Sequence, residues 1–268
     1  MKKIHVGFWI FISLFLLLLS CATTGPGGKK SLILISTSEE VSIGKSVADD
    51  VESQNKVTDD SVLANYIYRM GQNLAKVSDR TDIEYHFKVL ESPEINAFAC
   101  PGGFIYIYTG LLKTMDNEAQ LSGVLAHEIG HVVARHSVKR LQQVLGLQVL
   151  LAIALGESSE VTQKAVSAGL VLILQGYSRQ NEFEADYNGA YYMTKAGYHP
   201  RGMIQLFGKF QEMEKDRKNT FLDQLLASHP PTADRIAKVE EQIKSFNLGQ
   251  RELAFGEDEY QNIKARLE

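Results

Sequence analysis

The residues best equipped for chemistry stand in the stretch VLAHEIGHVVARH, Val124 to His136. His127 and His131 are four apart, so on a helix they share a face and can aim ring nitrogens at one metal ion. Glu128 lies one position further on, turned about 100° around the axis by the helical period. From there its carboxylate can reach a metal-activated water without ligating the ion. Zinc lowers the pKa of such a water to about 7, and the glutamate takes its proton as the scissile carbonyl is attacked. Two histidines and a base leave the coordination sphere incomplete.

The third ligand can be sought by elimination. His136 is five residues beyond His131 and, on a continuous helix, faces elsewhere; it reads as an exposed bystander. The metzincin pattern needs a glycine three places after the second histidine and another histidine six places after it. Those places hold Ala134 and Ser137, which excludes that class. The alternative is a carboxylate from a separate helix. YSRQNEFEADYNGA, Tyr177 to Ala190, offers Glu182, Glu184 and Asp186. Glu182 and Asp186 are four apart and share a face, while Glu184 points nearly the opposite way. One of the sharing pair can ligate the ion and the other can accept the second N–H of a ligand histidine. Periodicity does not decide which does which.

Positioning these groups requires two facing helices and a scaffold. Asp116 or Asn117 can cap a long helix running to about Gln143 that carries the histidines. Arg179 to Ala196 reads as the acidic helix, ending at Gly197 with Pro200 beyond. Ser38–Gln54, Asp60–Ser78, Arg201–Lys215 and Pro231–Phe246 read as further helices. EYHFKVL (Glu84 to Leu90) alternates like a half-buried strand, and NAFACPGGFIYIYTGLL gives two extended pieces around a Pro-Gly-Gly turn. A small sheet, partly antiparallel, is expected. Two apolar segments, Val144–Leu155 and Val161–Leu174, read as a helical hairpin that could serve as a lid. The expected class is α+β, mainly α.

The N-terminus reads as a targeting segment. Lys2 and Lys3 precede an apolar run from Val6 to Leu19, too short for a membrane span and suited to a secretory signal. The run ends in LLSC, which looks like a bacterial lipoprotein signal with acylation at Cys21. Residues 1–20 are then the signal peptide and 21–37 a lipid anchor and flexible tether, with Ala22 favouring the outer membrane. Without the signal, 26 basic side chains face 32 acidic ones, and no basic cluster points to nucleic acid. Only Cys100 then remains beside Cys21, and it reads as a small buried apolar side chain.

HEIGH (His127 to His131) followed by SRQNEFEAD (Ser178 to Asp186) resembles the M48 metallopeptidase family, specifically its soluble periplasmic and mitochondrial inner-membrane branch. The second motif meets the family pattern S-R-x-x-E-x-x-A-D at every fixed place. The resemblance implies a zincin-like peptidase domain over about 38–248, with a small sheet beside the HExxH helix and a helical C-terminal part. It implies one zinc ion per chain held by His127, His131 and Glu182, and Asp186 as the partner of a ligand histidine. Asn96, Ala97, Phe98 and Ala99 resemble the family's edge strand, along which an extended substrate would lie. SHPPTADRI resembles a third family element, in which His229 can approach the metal, either to keep the enzyme latent or to stabilise the oxyanion. Arg235 would support that arrangement. His86 and His199 read as structural, and Arg179 as steadying the ligand helix or substrate, or as a surface ion pair.

The sequence therefore reads as a lipid-anchored zinc endopeptidase of the cell envelope, acting on unfolded or misassembled proteins, with Glu128 as base. The competing reading is a chaperone-like assembly factor whose zinc is structural or whose activity is latent. The family's helical-repeat extension has no counterpart in residues 249–268, which read as a short charged tail; this speaks against recruitment to a large outer-membrane assembly machine.

Overall fold

In the computed structural model, described residues are 20–24, 29–154, 164, 167–168, 171, 176–215, 220–230, 233–246, 248 and 252–267. Two N-terminal strands, Ser20–Thr24 (β1) and Lys29–Ile33 (β2), pair antiparallel with Cys21 opposite Leu32. The segment expected as a tether thus carries regular pairing at both ends of its Gly-Pro-Gly-Gly run. Thr37–Gln54 (α1) starts in a capping box of Ser36 and Glu39, and Ser61–Lys76 (α2) is capped by Asp60.

A three-stranded sheet follows, built from His86–Leu90 (β3), Ala97–Ala99 (β4) and Phe104–Tyr108 (β5). β5 is central, parallel to β3 and antiparallel to β4, so β4 is the edge expected from the sequence. The strand FIYIY is buried at every position because both sheet faces are covered. Ile105 and Ile107 enter a core shared with α2, while Phe104, Tyr106 and Tyr108 enter a second core under α1. Cys100 is fully buried in that second core, and burial pushes its thiol well above the ordinary range.

After the short helix Thr109–Thr114 (α3) comes Glu118–Val133 (α4), capped by Asn117 and buried from Ala119 to Val133. The long helix expected through Gln143 is interrupted. Ala134 ends α4, Arg135 adopts φ 52°, and a new helix, His136–Ala154 (α5), begins. Positive φ is disfavoured for a side chain such as arginine. Here Arg135 is held by bonds from Nη2 to Glu40 and to the Ile35 carbonyl, at 2.7 and 2.8 Å. The first apolar segment of the expected hairpin is helical to Ala154; of the second, only residues 164, 167–168 and 171 are described, and the rest lies outside the described residues.

Arg179–Lys195 (α6) packs directly on α4, and Arg201–Lys215 (α7), Asp223–Ser228 (α8) and Ala233–Ser245 (α9) complete that side. The final stretch is no free tail. Glu257–Lys264 (α10) buries Tyr260 and Ile263, and the Tyr260 hydroxyl donates to the Leu112 carbonyl at 2.6 Å. The carbonyls of Gly256 and Phe255 accept from the Glu118 and Ala119 N–H groups, satisfying donors that the start of α4 leaves open. No helix among the described residues is long and apolar enough to cross a membrane.

Candidate metal centre

Two glycines set the approach of the helices that carry the site. A Cβ on Gly130 of α4 would lie 2.7 Å from the Ala185 carbonyl oxygen, and one on Gly189 of α6 would lie 3.0 Å from the His127 backbone nitrogen. Their absence lets the two backbones touch, which brings the HEIGH face of α4 against Glu182 and Asp186. Ser178 caps α6 by accepting from the Asn181 N–H at 3.2 Å, placing Glu182 in its first turn.

His127 Nε2 and His131 Nε2 are 3.0 Å apart, close to the roughly 3.3 Å expected for two imidazoles on one tetrahedral zinc. Glu182 Oε1 lies 3.3 Å from His131 Nε2, and Oε2 lies 3.5 Å from His127 Nε2. His229 completes the group, its Nδ1 being 3.1 Å from both Glu182 oxygens and 3.3 Å from His127 Nε2. One donor atom from each of His127, His131, Glu182 and His229 falls within a cluster of 4.8 Å, and all four residues are buried. Three imidazoles and a carboxylate are the donor set of a borderline ion such as zinc.

The backs of the two α4 histidines are engaged differently. His127 Nδ1 faces Asp186 Oδ1 at 2.9 Å, and Asp186 in turn accepts from Arg235 at 2.7 and 2.8 Å. Arg235 also reaches Glu182 Oε2 at 2.8 Å and lies over the Phe207 ring at 4.6 Å. His131 Nδ1 instead faces His136 Nδ1 at 2.9 Å. The expectation that His136 is an exposed bystander is therefore wrong. It is fully buried beside the site because the chain breaks at Arg135, and the extrapolated helical period no longer applies. Glu184, expected on the face opposite Glu182 and Asp186, is outside the donor cluster, and its Oε2 lies 3.7 Å from His136 Nε2. Tyr177 was not singled out by sequence; its ring stacks on His131 with centroids 4.1 Å apart, and only its place before the Ser178 cap could have flagged it.

Without a metal ion, the electrostatics of these buried groups differ. Burial pushes the Glu128 carboxyl above its ordinary value, with His229 and His127 opposing. Its Oε2 is buried and has no hydrogen-bond partner among the described residues. Burial also raises Glu182, but His229, His127 and His131 outweigh it and hold this carboxyl well below the usual range. Burial drives His131 well below its ordinary value and keeps it neutral. It disfavours the charged form of His127 too, yet Asp186 and Glu182 prevail and raise that ring to about 10.

The remaining expected residues are placed as follows. Asn96 is buried and its carbonyl accepts from the Tyr108 N–H, while Ala97 lies beside His127 and Glu128 in the wall of an apolar pocket. Val124, Met203, Phe207 and Leu225 line the same pocket. Arg179 forms an exposed ion pair with Asp234 of α9. His86 stacks on Phe104 and His199 on Phe255, both away from the cluster.

Two histidines with an intervening base on one helix, and a carboxylate from a second, define a metal-dependent peptidase. A sequence model of peptidase family M48 matches residues 61–243, and the chain belongs to that family. It is 28% identical over 214 residues to the beta-barrel assembly-enhancing protease of Escherichia coli (strain K12), covering 76% of this chain and 43% of that protein. It is 31% identical over 179 residues to the mitochondrial metalloendopeptidase OMA1 of Schizosaccharomyces pombe, covering 66% and 52%. It is 30% identical over 168 residues to metalloprotease LoiP of Escherichia coli (strain K12), covering 61% and 64%. The matched region thus spans about half the length of these relatives.

Proposed function

We propose that the chain is a zinc endopeptidase in which His127, His131 and Glu182 hold the ion and Glu128 is the general base. The observation that carries this reading is the Glu128 carboxylate, buried, raised in pKa and without a partner at Oε2, beside four convergent metal donors. A purely structural site has no use for such a base. Zinc, when bound, supplies a Lewis acid that polarises the scissile carbonyl and acidifies water. Glu128 accepts the proton of the attacking water and passes it to the leaving amine. Asp186, steadied by Arg235, keeps His127 oriented.

The substrate lies extended along the edge strand β4, with an apolar side chain entering the pocket between Ala97, Val124 and Phe207. Its class is unfolded or misassembled envelope protein, because β4 is buried at all three positions and only an extended segment is thin enough to enter beside it. The LLSC sequence after Lys2, Lys3 and the apolar run supports a lipid anchor at Cys21 on the periplasmic side of the outer membrane. His229 favours a latent resting state, since its Nδ1 already joins the donor cluster. Latency is also one of the two forms of the competing reading, a chaperone-like envelope factor whose zinc is structural or whose activity is latent.

Glu128→Gln separates the two. It is expected to keep zinc at one ion per chain and to abolish casein cleavage, a loss of about 10²–10⁴-fold for removal of a general base. Undiminished cleavage sinks the mechanism, and full rescue of an envelope defect by this variant selects the chaperone-like reading.

A further inference from the structure

A neutral imidazole has one donor and one acceptor nitrogen. If His131 offers its Nε2 lone pair to zinc, its Nδ1 must carry the hydrogen, and a buried N–H needs an acceptor. His127 has a carboxylate for this purpose, Asp186. Behind His131 the atom at hydrogen-bond distance is His136 Nδ1, 2.9 Å away. To accept there, His136 must carry its own hydrogen on Nε2, the atom that lies 3.7 Å from Glu184 Oε2. The tautomer of His131 then dictates that of His136, and the Glu184 carboxylate stands beyond hydrogen-bond distance of that Nε2 but near enough to attract its hydrogen electrostatically.

The fold is arranged to make this contact. His136 is the first residue of α5, and it turns back onto His131 because Arg135 takes φ 52° between the two helices. Tyr177 stacks on His131 and, through its hydroxyl, meets Ser137 at 2.8 Å, which closes the pocket around both rings.

We propose that His136 is a positioning residue for the metal centre, fixing the tautomer and orientation of His131 with Glu184 behind it. The inference rests on the zinc reading above. It makes the two α4 ligands unequal: His127 is backed by an anion and His131 by a neutral ring.

The test compares full-length wild type with His136→Ala, His136→Gln and Glu184→Gln. Zinc affinity is measured by competition with a chromophoric chelator, alongside thermal unfolding of the metal-free proteins. His136→Ala is expected to weaken zinc binding about 10–100-fold, the usual effect of losing such a partner. His136→Gln should recover much of this, because its amide oxygen can accept the same N–H. Glu184→Gln should give a smaller loss. Unchanged affinity in His136→Ala overturns the inference. So do equal losses in the Ala and Gln variants that track a fall in metal-free unfolding temperature, which mark a packing role. If His136→Ala does not fold, His136→Phe, which keeps a ring but offers no acceptor, takes its place, and unchanged affinity there is the overturning result. A wild type that binds no zinc removes the zinc reading itself.

Discussion

Glu40 and Glu182 are both carboxylates at 1% exposure beside α4, and their partners differ in kind. Glu40 takes Arg80 Nη1 and Nη2 at 2.8 and 2.7 Å, Arg135 Nη2 at 2.7 Å and the Gly102 N–H at 3.2 Å. Every approach to it is filled by a fixed donor, and Arg80 Nη1 also caps the Val132 carbonyl at the end of α4. Glu182 meets one guanidinium, Arg235, and otherwise faces the ring nitrogens of His127, His131 and His229. Those nitrogens are lone-pair donors themselves when the rings are neutral. Buried charge alone therefore does not mark a site. A convergence of several ring nitrogens on one carboxylate does, because one metal ion can satisfy all of them at once.

The comparison breaks most visibly if the two carboxylates are exchanged in role. Glu182→Ala is expected to weaken zinc binding strongly and abolish casein cleavage, because it removes the one anionic donor of the cluster, which the His229 ring does not replace; metal analysis of the purified protein and proteolysis measure the two losses. Zinc at full occupancy in that variant would separate Glu182 from the metal. Glu40→Ala should instead cost about 3–5 kcal/mol of folding stability, because Arg80 and Arg135 are left buried without their counter-charge. Denaturant unfolding reads that loss directly. Zinc binding per folded molecule should be retained, and a loss of zinc without a loss of stability would show that the Glu40 cluster is not merely structural.

The legibility of the molecule follows the same division. His127, His131 and the acidic pair in α6 were readable because each depends on spacing within one helix. The sheet was readable too, since alternation in FIYIY and HFKVL reports faces covered by whatever packs there. The break at Arg135 was not readable. It is fixed by Glu40, 95 positions earlier, and by the Ile35 carbonyl, neither of which a local pattern reveals. His136 was misplaced for that reason alone. The docking of α10 was hidden likewise, because its anchors are backbone carbonyls meeting the N–H groups at the start of α4. A charged composition cannot show such contacts. Helical spacing left Glu182 and Asp186 open and only the family resemblance separated them; in the structure Glu182 faces the Nε2 atoms of His127 and His131, while Asp186 faces His127 Nδ1 on the other side of that ring.

The smallest expected effect concerns the residue that makes the Glu182 cluster four-sided. His229 Nδ1 is within 3.3 Å of Glu182 and His127, and its Nε2 is 3.9 Å from Glu128 Oε1. A ring in that position competes with substrate for the ion and crowds the base. His229→Ala should therefore raise casein cleavage several-fold while weakening zinc binding only modestly, since three ligands remain. Cleavage assays and chelator competition on the same preparation check both halves. A fall in kcat/KM with zinc affinity unchanged would place His229 on the oxyanion, and the fourth side of the cluster would then belong to catalysis. A strong loss of zinc would make His229 a required ligand, in which case the Glu182 cluster is closed like that of Glu40, by a different chemistry.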